Sequence, residues 1–246
     1  MRIVKQSVSL EYVTPLPAEH VEQAGRTCYK SEDKITTDSA IAFVKMIMSR
    51  GHESVIEHPY ASFRVICDRG VSHEFVRHRL MSYSQESTRY CNYGKGKFGG
   101  EITVIQPPDL TKEELEQWMG AMEHAEARYM TMLDLGSKPQ IARSVLPNSL
   151  KTELVATANF REWRHFLKLR TSPAAHPQMR EVAGAIGEIL LEHCPVMFED
   201  IMRPGPDPKL RKALMVKSLK LAVEELARGE DPVRRLLEVI SSLENE

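Results

Sequence analysis

The feature that most constrains the fold is the order of hydrophobic periodicities along the chain. Two-residue alternation and 3.6-residue spacing succeed one another without the regular strand–helix–strand rhythm of a parallel sheet. Residues 2–14 alternate and predict a strand, and 18–29 predict a helix. Residues 38–50 predict a second helix, with Ile41, Val44 and Met48 on one face and Gly51 as its stop. Residues 59–67 predict a strand opened by Pro59, and 70–81 return to helical spacing through Val71, Phe75, Val76 and Leu80. A polar stretch runs to Gly100, and 101–106 predict a short strand closed by Pro107 and Pro108. Thr111 and Glu114 form a capping-box pattern that opens the longest helix, 111–135. A short helix ends near Pro147, 150–158 are strand-like, and 160–170 and 178–192 are helical. RPGPDP at 203–208 reads as a linker, with two helical patterns beyond it at 209–228 and 232–244. The order predicts an α+β fold, with one domain over 1–202 and a helical C-terminal extension over 203–246.

Charge narrows the function. Lys+Arg number 33 and Asp+Glu 34, a net charge of −1, which argues against a general nucleic-acid binder. Hydrophobic residues make up 42%, enough to exclude a disordered chain of low hydrophobicity and high charge. Cys28, Cys67, Cys91 and Cys194 are far apart and form no C-x-x-C pair. That speaks against a disulfide framework or a zinc knuckle and for a reducing, cytoplasmic setting. The first residues lack the apolar run of a signal peptide, and no apolar stretch approaches the ~18 residues of a membrane span.

Chemistry concentrates in residues 73–93, HEFVRHRLMSYSQESTRYCNY. Arg77, His78, Arg79 and Arg89 lie among the hydroxyls of Ser82, Tyr83, Ser84, Ser87, Thr88 and Tyr90. Guanidinium groups offer paired, permanent donors to phosphate, and hydroxyls fill its remaining acceptor positions. Tyr83 and Tyr90 flank the hydroxyls as rings that stack on a base would. On a helix Arg77 and Arg79 would point about 200° apart, suiting two ligands better than one. A non-catalytic nucleotide- or RNA-binding platform built on the same segment is the alternative, and the near-zero net charge weakens it.

Other patterns carry less. GKGKFG at 94–99 fits G-x-G-x-x-G, but a strand follows it where a dinucleotide turn needs a helix, so it reads as a loop. HEFVRH at 73–78 has one residue too many for a zinc pair, and His52 and His58, beside Glu53 and Glu57, have no cysteine or second histidine pair, so no metal site is expected and His52 reads as a capping or ligand-orienting residue. Trp118 and Trp163 are expected in packing, Arg128, Arg164 and Arg180 in surface ion pairs, and the apolar side of 209–228 in docking within an oligomer.

The Arg77-His78-Arg79 triplet followed by seven residues and Ser87 resembles the RHR-x7-S motif of flavin-dependent thymidylate synthases, and Thr88-Arg89-Tyr90 extends it. GHESVIEH (51–58), IARSVLP (141–147), TANFREWRHFLKLR (157–170) and HPQMREV (176–182) resemble further segments of that family in order. The resemblance covers roughly 1–202 and implies a mixed fold with a central, mostly antiparallel sheet. It implies reductive methylation of dUMP to dTMP, with methylenetetrahydrofolate as carbon donor and FAD, reduced by NADPH, as hydride source. It implies a homotetramer with active sites at subunit interfaces and no nucleic-acid or membrane partner. By the same resemblance Glu74, Phe75, Val76, Arg77, Gln85, Glu86, Ser87, Thr88, Arg89, Arg143 and Arg170 bind dUMP. Ser54, Arg77, His78, Arg79, Gln85, Asn159, Phe160, Arg161 and His165 bind FAD. Arg170 is the catalytic residue, set against the uracil to favour its ionised form. Glu74 stands where the family usually has a glutamine, and glutamate brings a charge in place of an amide donor. No general base is evident for Ser87, which suits it to binding rather than attack.

Overall fold

Buried residues, mostly apolar, recur at every second position over two nine-residue stretches, and these form the centre of a sheet. In the computed structural model, which describes residues 1–96, 99–205, 212 and 215–220, they are β3 (Tyr60–Asp68) and β6 (Lys151–Asn159). They pair antiparallel over their whole length, from Tyr60 opposite Asn159 to Asp68 opposite Lys151. β2 (Ser7–Val13) joins the other side of β3, with a bulge between Leu10 and Tyr12, and β4 (Ser82–Gln85) joins the far side of β6. The order β2-β3-β6-β4 is antiparallel throughout. A separate two-stranded parallel pair joins β1 (Arg2–Val4) to β5 (Thr103–Ile105).

One face of the sheet is buried by Ala61, Phe63, Val65 and Cys67 of β3 and Leu154, Ala156 and Ala158 of β6. Helices α6 (Phe160–Arg170) and α7 (Pro177–His193) cover it. Trp163 of α6 packs edge-on to Phe63 with centroids 5.1 Å apart, and its indole N–H donates to the Ala61 carbonyl at 3.0 Å. Each fully buried aromatic or leucine contributes about 1.5–3 kcal/mol by removal from water. A second cluster, Tyr93, Ile102, Val104, Met122, Tyr129, Ala142 and Leu150, lies beneath α4 (Lys112–Asp134). Trp118 packs against this cluster, and the Thr111–Glu114 capping box opens α4 as its spacing predicts. The remaining helices are α1 (Pro17–Tyr29), α2 (Ser39–Ser49), α3 (Arg69–Phe75), α5 (Pro139–Ala142) and α8 (Pro195–Met202). The chain divides into two compact units, Met1–Phe198 and Glu199–Glu246.

Four expectations change. The strand predicted over 2–14 is two strands in different sheets. The polar stretch before Gly100 contains β4, whose hydroxyl-rich sequence hides the alternation. Arg164 is buried instead of lying at the surface, and it donates to the Met197 carbonyl. The helix predicted over 70–81 stops at Phe75. Val76 and Leu80, which sustain the helical spacing, are 41% and 81% exposed and pack no core. The Tyr83 hydroxyl shares its one donor hydrogen between the Phe75 carbonyl at 2.6 Å and the His78 carbonyl at 3.0 Å. These bonds, with the His78 N–H on Phe75 O at 3.0 Å and the Met81 N–H on His78 O at 3.2 Å, replace the helical ladder with turns. In the 209–228 pattern residue 212 and residues 215–220 are helical; the rest of it and all of 232–244 lie outside the described residues.

Candidate active site

Two caps set the site. At the start of α3 the Asp68 carboxylate accepts the Val71 N–H at 2.6 Å and the Gln178 amide at 3.0 Å, tying the helix to α7. At the start of α6 the Asn159 side chain accepts the Glu162 N–H at 2.9 Å. The turn after α3 and the exposed side of α6 then face one another across a cavity of about 800 Å³. Arg77, His78, Arg79 and Leu80 line it from the turn; Asn159, Arg161, Glu162, Arg164, His165, Lys168, Leu169 and Arg170 line it from α6; Glu53 and Glu57 complete it. Arg77 and Arg79 share this one cavity because they lie beyond the helix end, so the helical argument for two opposed ligands does not apply.

Arg170 closes the cavity. Its Nη1 donates to the Glu74 carboxylate at 2.6 Å, its Nη2 to the Glu74 carbonyl at 3.2 Å and its Nε to His78 Nε2 at 3.0 Å. Three of its five N–H groups thus hold the guanidinium in place, and two remain for a ligand. Burial, then the Arg170 charge and then His165 push the His78 pKa down to about 4, so the ring is neutral at pH 7. Its Nδ1 lies 3.6 Å from Glu162 Oε1, a polar contact and not an ion pair, since the imidazole carries no charge there. Burial pushes the Glu162 carboxyl up, with His165 opposing.

The other expected site residues are distributed more widely. Thr88 and Arg143 meet at a second cavity of about 530 Å³, where Arg143 Nη1 donates to the Thr88 hydroxyl at 3.1 Å and Arg69 and His73 join them. Ser54 lines a third cavity, of about 410 Å³, which shares Glu53 and Arg161 with the first. Arg161 pairs with both Glu57 and Glu53. The Gln85 amide donates to Ser72 at 3.0 Å and Thr152 at 3.2 Å, bracing β4 against α3 and β6. Glu86 accepts from Tyr93 at 3.0 Å and Lys151 at 2.9 Å. The Ser87 hydroxyl accepts the Arg89 N–H at 3.3 Å, and Arg89 lies over the ring of Tyr90 at 5.5 Å. Phe75 and Phe160 are core residues, stacked on Phe166 at 4.8 Å and set edge-on to Phe198 at 5.1 Å. Val76 caps the end of α3.

The expectation for Tyr83 is revised, and so is the capping one of the two readings of His52. The Tyr83 hydroxyl is spent on backbone carbonyls, so its role is to shape the Arg77–Arg79 turn. That leaves Tyr90, 79% exposed, as the exposed ring of the segment. His52 precedes the 3-10 turn Glu53–Glu57 but its side chain makes no cap hydrogen bond. Sequence reading also missed residues. Glu162 and Lys168 flank His165 at helical spacing on the cavity side of α6, and Arg69 and His73 stand four apart on α3. In each case the i, i+3 or i, i+4 spacing from an assigned residue or from its partner was the available signal.

The cavity suits FAD. A dinucleotide of this kind needs cations for its pyrophosphate and apolar surface for its rings. Arg77, Arg79 and Lys168 line the cavity with no acidic partner among the described residues, and Leu80 and Leu169 supply apolar surface.

Comparison with known proteins shows the family. The family described as thymidylate synthase complementing protein matches residues 9–196. A flavin-dependent thymidylate synthase of Corynebacterium diphtheriae is 36% identical over 200 residues, covering 73% of this chain and 77% of that one. One of Geobacter sulfurreducens is 33% identical over 200 residues, covering 78% and 85%. The crystal structure of the UMP/dUMP methylase PolB from Streptomyces cacaoi, bound with 5-Br dUMP, superposes with a TM-score of 0.70 at 26% identity, covering 81% of this chain and 96% of that one. Matched in sequence over most of its length and in fold, the chain belongs to the family of flavin-dependent thymidylate synthases.

Proposed function

We propose that the cavity between the Arg77–Arg79 turn and α6 is where this enzyme brings FAD and dUMP together. The reaction is the reductive methylation of dUMP to dTMP, with methylenetetrahydrofolate giving the carbon and NADPH the reducing equivalents through FAD. The observation that carries the placement is the convergence of Arg77, His78, Arg79, Asn159, Arg161, His165 and Arg170 on one recess. When bound, FAD supplies the hydride; the residues of the chain bind, orient and stabilise charge.

In this reading Arg77, Arg79 and Lys168 hold the FAD pyrophosphate, with Asn159, Arg161 and His165 along its length and Ser54 in the adjoining recess. Arg143, Thr88, Ser87 and Arg89 hold the dUMP phosphate. Arg170 uses its two remaining N–H groups on the pyrimidine edge. Because Glu74 sits 2.6 Å from it, the pair is close to neutral. Arg170 then acts by directed hydrogen bonds on charge that grows in the transition state, more than by a net positive field. Gln85, Glu86, Phe75, Val76 and Phe160 contribute by bracing the walls.

The assembly is a homotetramer, with a neighbouring subunit completing each site. In support, Thr88 and Arg143 lie at one cavity of the chain and Arg77 and Arg170 at another, and the two share no lining residue. A cytoplasmic location is part of the proposal; all four cysteines are free thiols. No described helix is long and apolar enough to cross a membrane. Residues 1–202 act as the catalytic domain and 203–246 as a C-terminal extension. Replacing Arg170 with alanine tests the reading. It should reduce dTMP formation at least about 100-fold, the scale of a lost transition-state donor, and leave FAD bound. Retained turnover would remove Arg170 from the chemistry.

A further inference from the structure

His78 is almost fully enclosed, between the ring of Phe166 at 4.9 Å and that of His165 at 5.8 Å. Its Nε2 lies 3.0 Å from Arg170 Nε. Arginine keeps its proton, so Nε–H donates and Nε2 must present a lone pair. The single proton of the neutral imidazole then sits on Nδ1. Nδ1 faces Glu162 Oε1 at 3.6 Å, slightly beyond hydrogen-bond length, a gap of the kind that tightens when a ligand fills the site. The Glu162 side chain is 7% exposed, lines the cavity, and receives no hydrogen bond on its carboxyl among the described residues. Its own backbone N–H is held by Asn159, which fixes where the side chain starts.

We propose that Glu162 is a positioning residue, which accepts the Nδ1–H of His78, fixes the imidazole tautomer, and through Nε2 fixes the direction of Arg170. The inference rests on the reading that Arg170 serves the pyrimidine, and it gives a role to a residue that the matching segment 157–170 spans but leaves unassigned. An acceptor that holds one ring nitrogen protonated decides what the other nitrogen can do. With Nδ1–H held, Nε2 is always the acceptor that Arg170 needs. With Glu162 removed, only the Arg170 contact favours Nδ1–H, and the Nε2–H form, which pushes the guanidinium away, becomes populated. A neutral acceptor would serve as well as a carboxylate, because only the oxygen lone pair is used.

The test reads the tautomer directly. The full-length protein is labelled with 15N-histidine, and its spectrum is recorded at neutral pH with and without FAD. The His78 signals are identified by their absence in His78→Gln. The expected spectrum has a protonated Nδ1 and a bare Nε2 in both states. A protonated Nε2 in the wild-type protein overturns the proposal, and this arm needs no variant of Glu162. Glu162→Leu should give a mixed tautomer and lower kcat for dTMP about 10-fold, the usual scale for an orienting partner. Glu162→Gln should restore both, since its amide oxygen accepts the same N–H. An unchanged tautomer in Glu162→Leu, or none restored in Glu162→Gln, also overturns it. Failure of the underlying reading looks different: Arg170→Ala would retain turnover while the His78 tautomer in the wild type stayed as expected.

Discussion

Tyr83→Phe separates two roles for one ring. Phenylalanine keeps the aromatic face and removes only the hydroxyl that reaches the Phe75 carbonyl at 2.6 Å and the His78 carbonyl at 3.0 Å. Burial pushes the phenol pKa up, so the hydroxyl stays protonated and donating across the working pH range. Both carbonyls keep a second partner, the N–H of His78 on one and of Met81 on the other, so neither is orphaned. The loss is therefore about one neutral hydrogen bond with some desolvation, about 1–2 kcal/mol. At roughly 2–4 °C per kcal/mol for a chain of this size, Tm should fall by about 2–8 °C. The turn that carries Arg77, His78 and Arg79 would also have to be ordered by the ligand. If that cost falls on binding, FAD affinity drops about 5- to 30-fold, at 1.4 kcal/mol per decade. Thermal denaturation with and without FAD and a flavin-fluorescence titration read both quantities. A ring that stacks on a base would tolerate phenylalanine. Unchanged Tm and unchanged FAD affinity would refute the account of the turn.

The remaining predictions concern packing and titration. A Cβ at Gly25 would stand 2.6 Å from two ring carbons of Phe43, where α1 and α2 approach. Gly25→Ala should therefore lower Tm by overpacking worth about 1–3 kcal/mol, despite the better helix propensity of alanine; a raised Tm would contradict the close approach. His78 has a native pKa of about 4 against 6.5 for an ordinary histidine, so the unfolded chain takes up its proton first. Stability from this group is intact above pH 6.5 and lost as pH falls towards 4, by at most about 3 kcal/mol. The groups facing it are Arg170, His165 and Glu162, and Glu162, whose pKa is raised, offsets part of the loss above 4.5. Urea unfolding of wild type and His78→Gln at pH 7, 5.5 and 4.5 should show a shallower pH slope in the variant; equal slopes would contradict the assignment.

What could be read from the sequence followed the strength of its local signals. The Thr111–Glu114 box, the stop at Gly51 and the alternation of β3 and β6 are each decided within one turn or one strand, and they hold. The end of α3 is decided by a hydroxyl eight residues further on, at Tyr83, and no local pattern announces it. Arg164 looked like a surface cation because charge usually means exposure, yet a distant carbonyl at Met197 holds it inside. At the site, the motif residues located the cavity, but their spacing could not tell wall from lining. Phe75, two residues before the matched triplet, and Phe160, within a matched segment, face the core, while Glu162 and Lys168 lie between matched positions and face the recess. Helical phase sorts these once Asn159 is known to cap α6, which the structure supplies.

The most direct measurement of the central claim is dTMP yield from dUMP by the purified full-length protein. The assay contains FAD, NADPH and methylenetetrahydrofolate, with each omitted in turn. The account predicts dTMP formed in step with NADPH consumed, and none when dUMP, methylenetetrahydrofolate or the flavin is left out. A protein that binds FAD and oxidises NADPH but yields no dTMP, or that yields it without the flavin, would contradict the account.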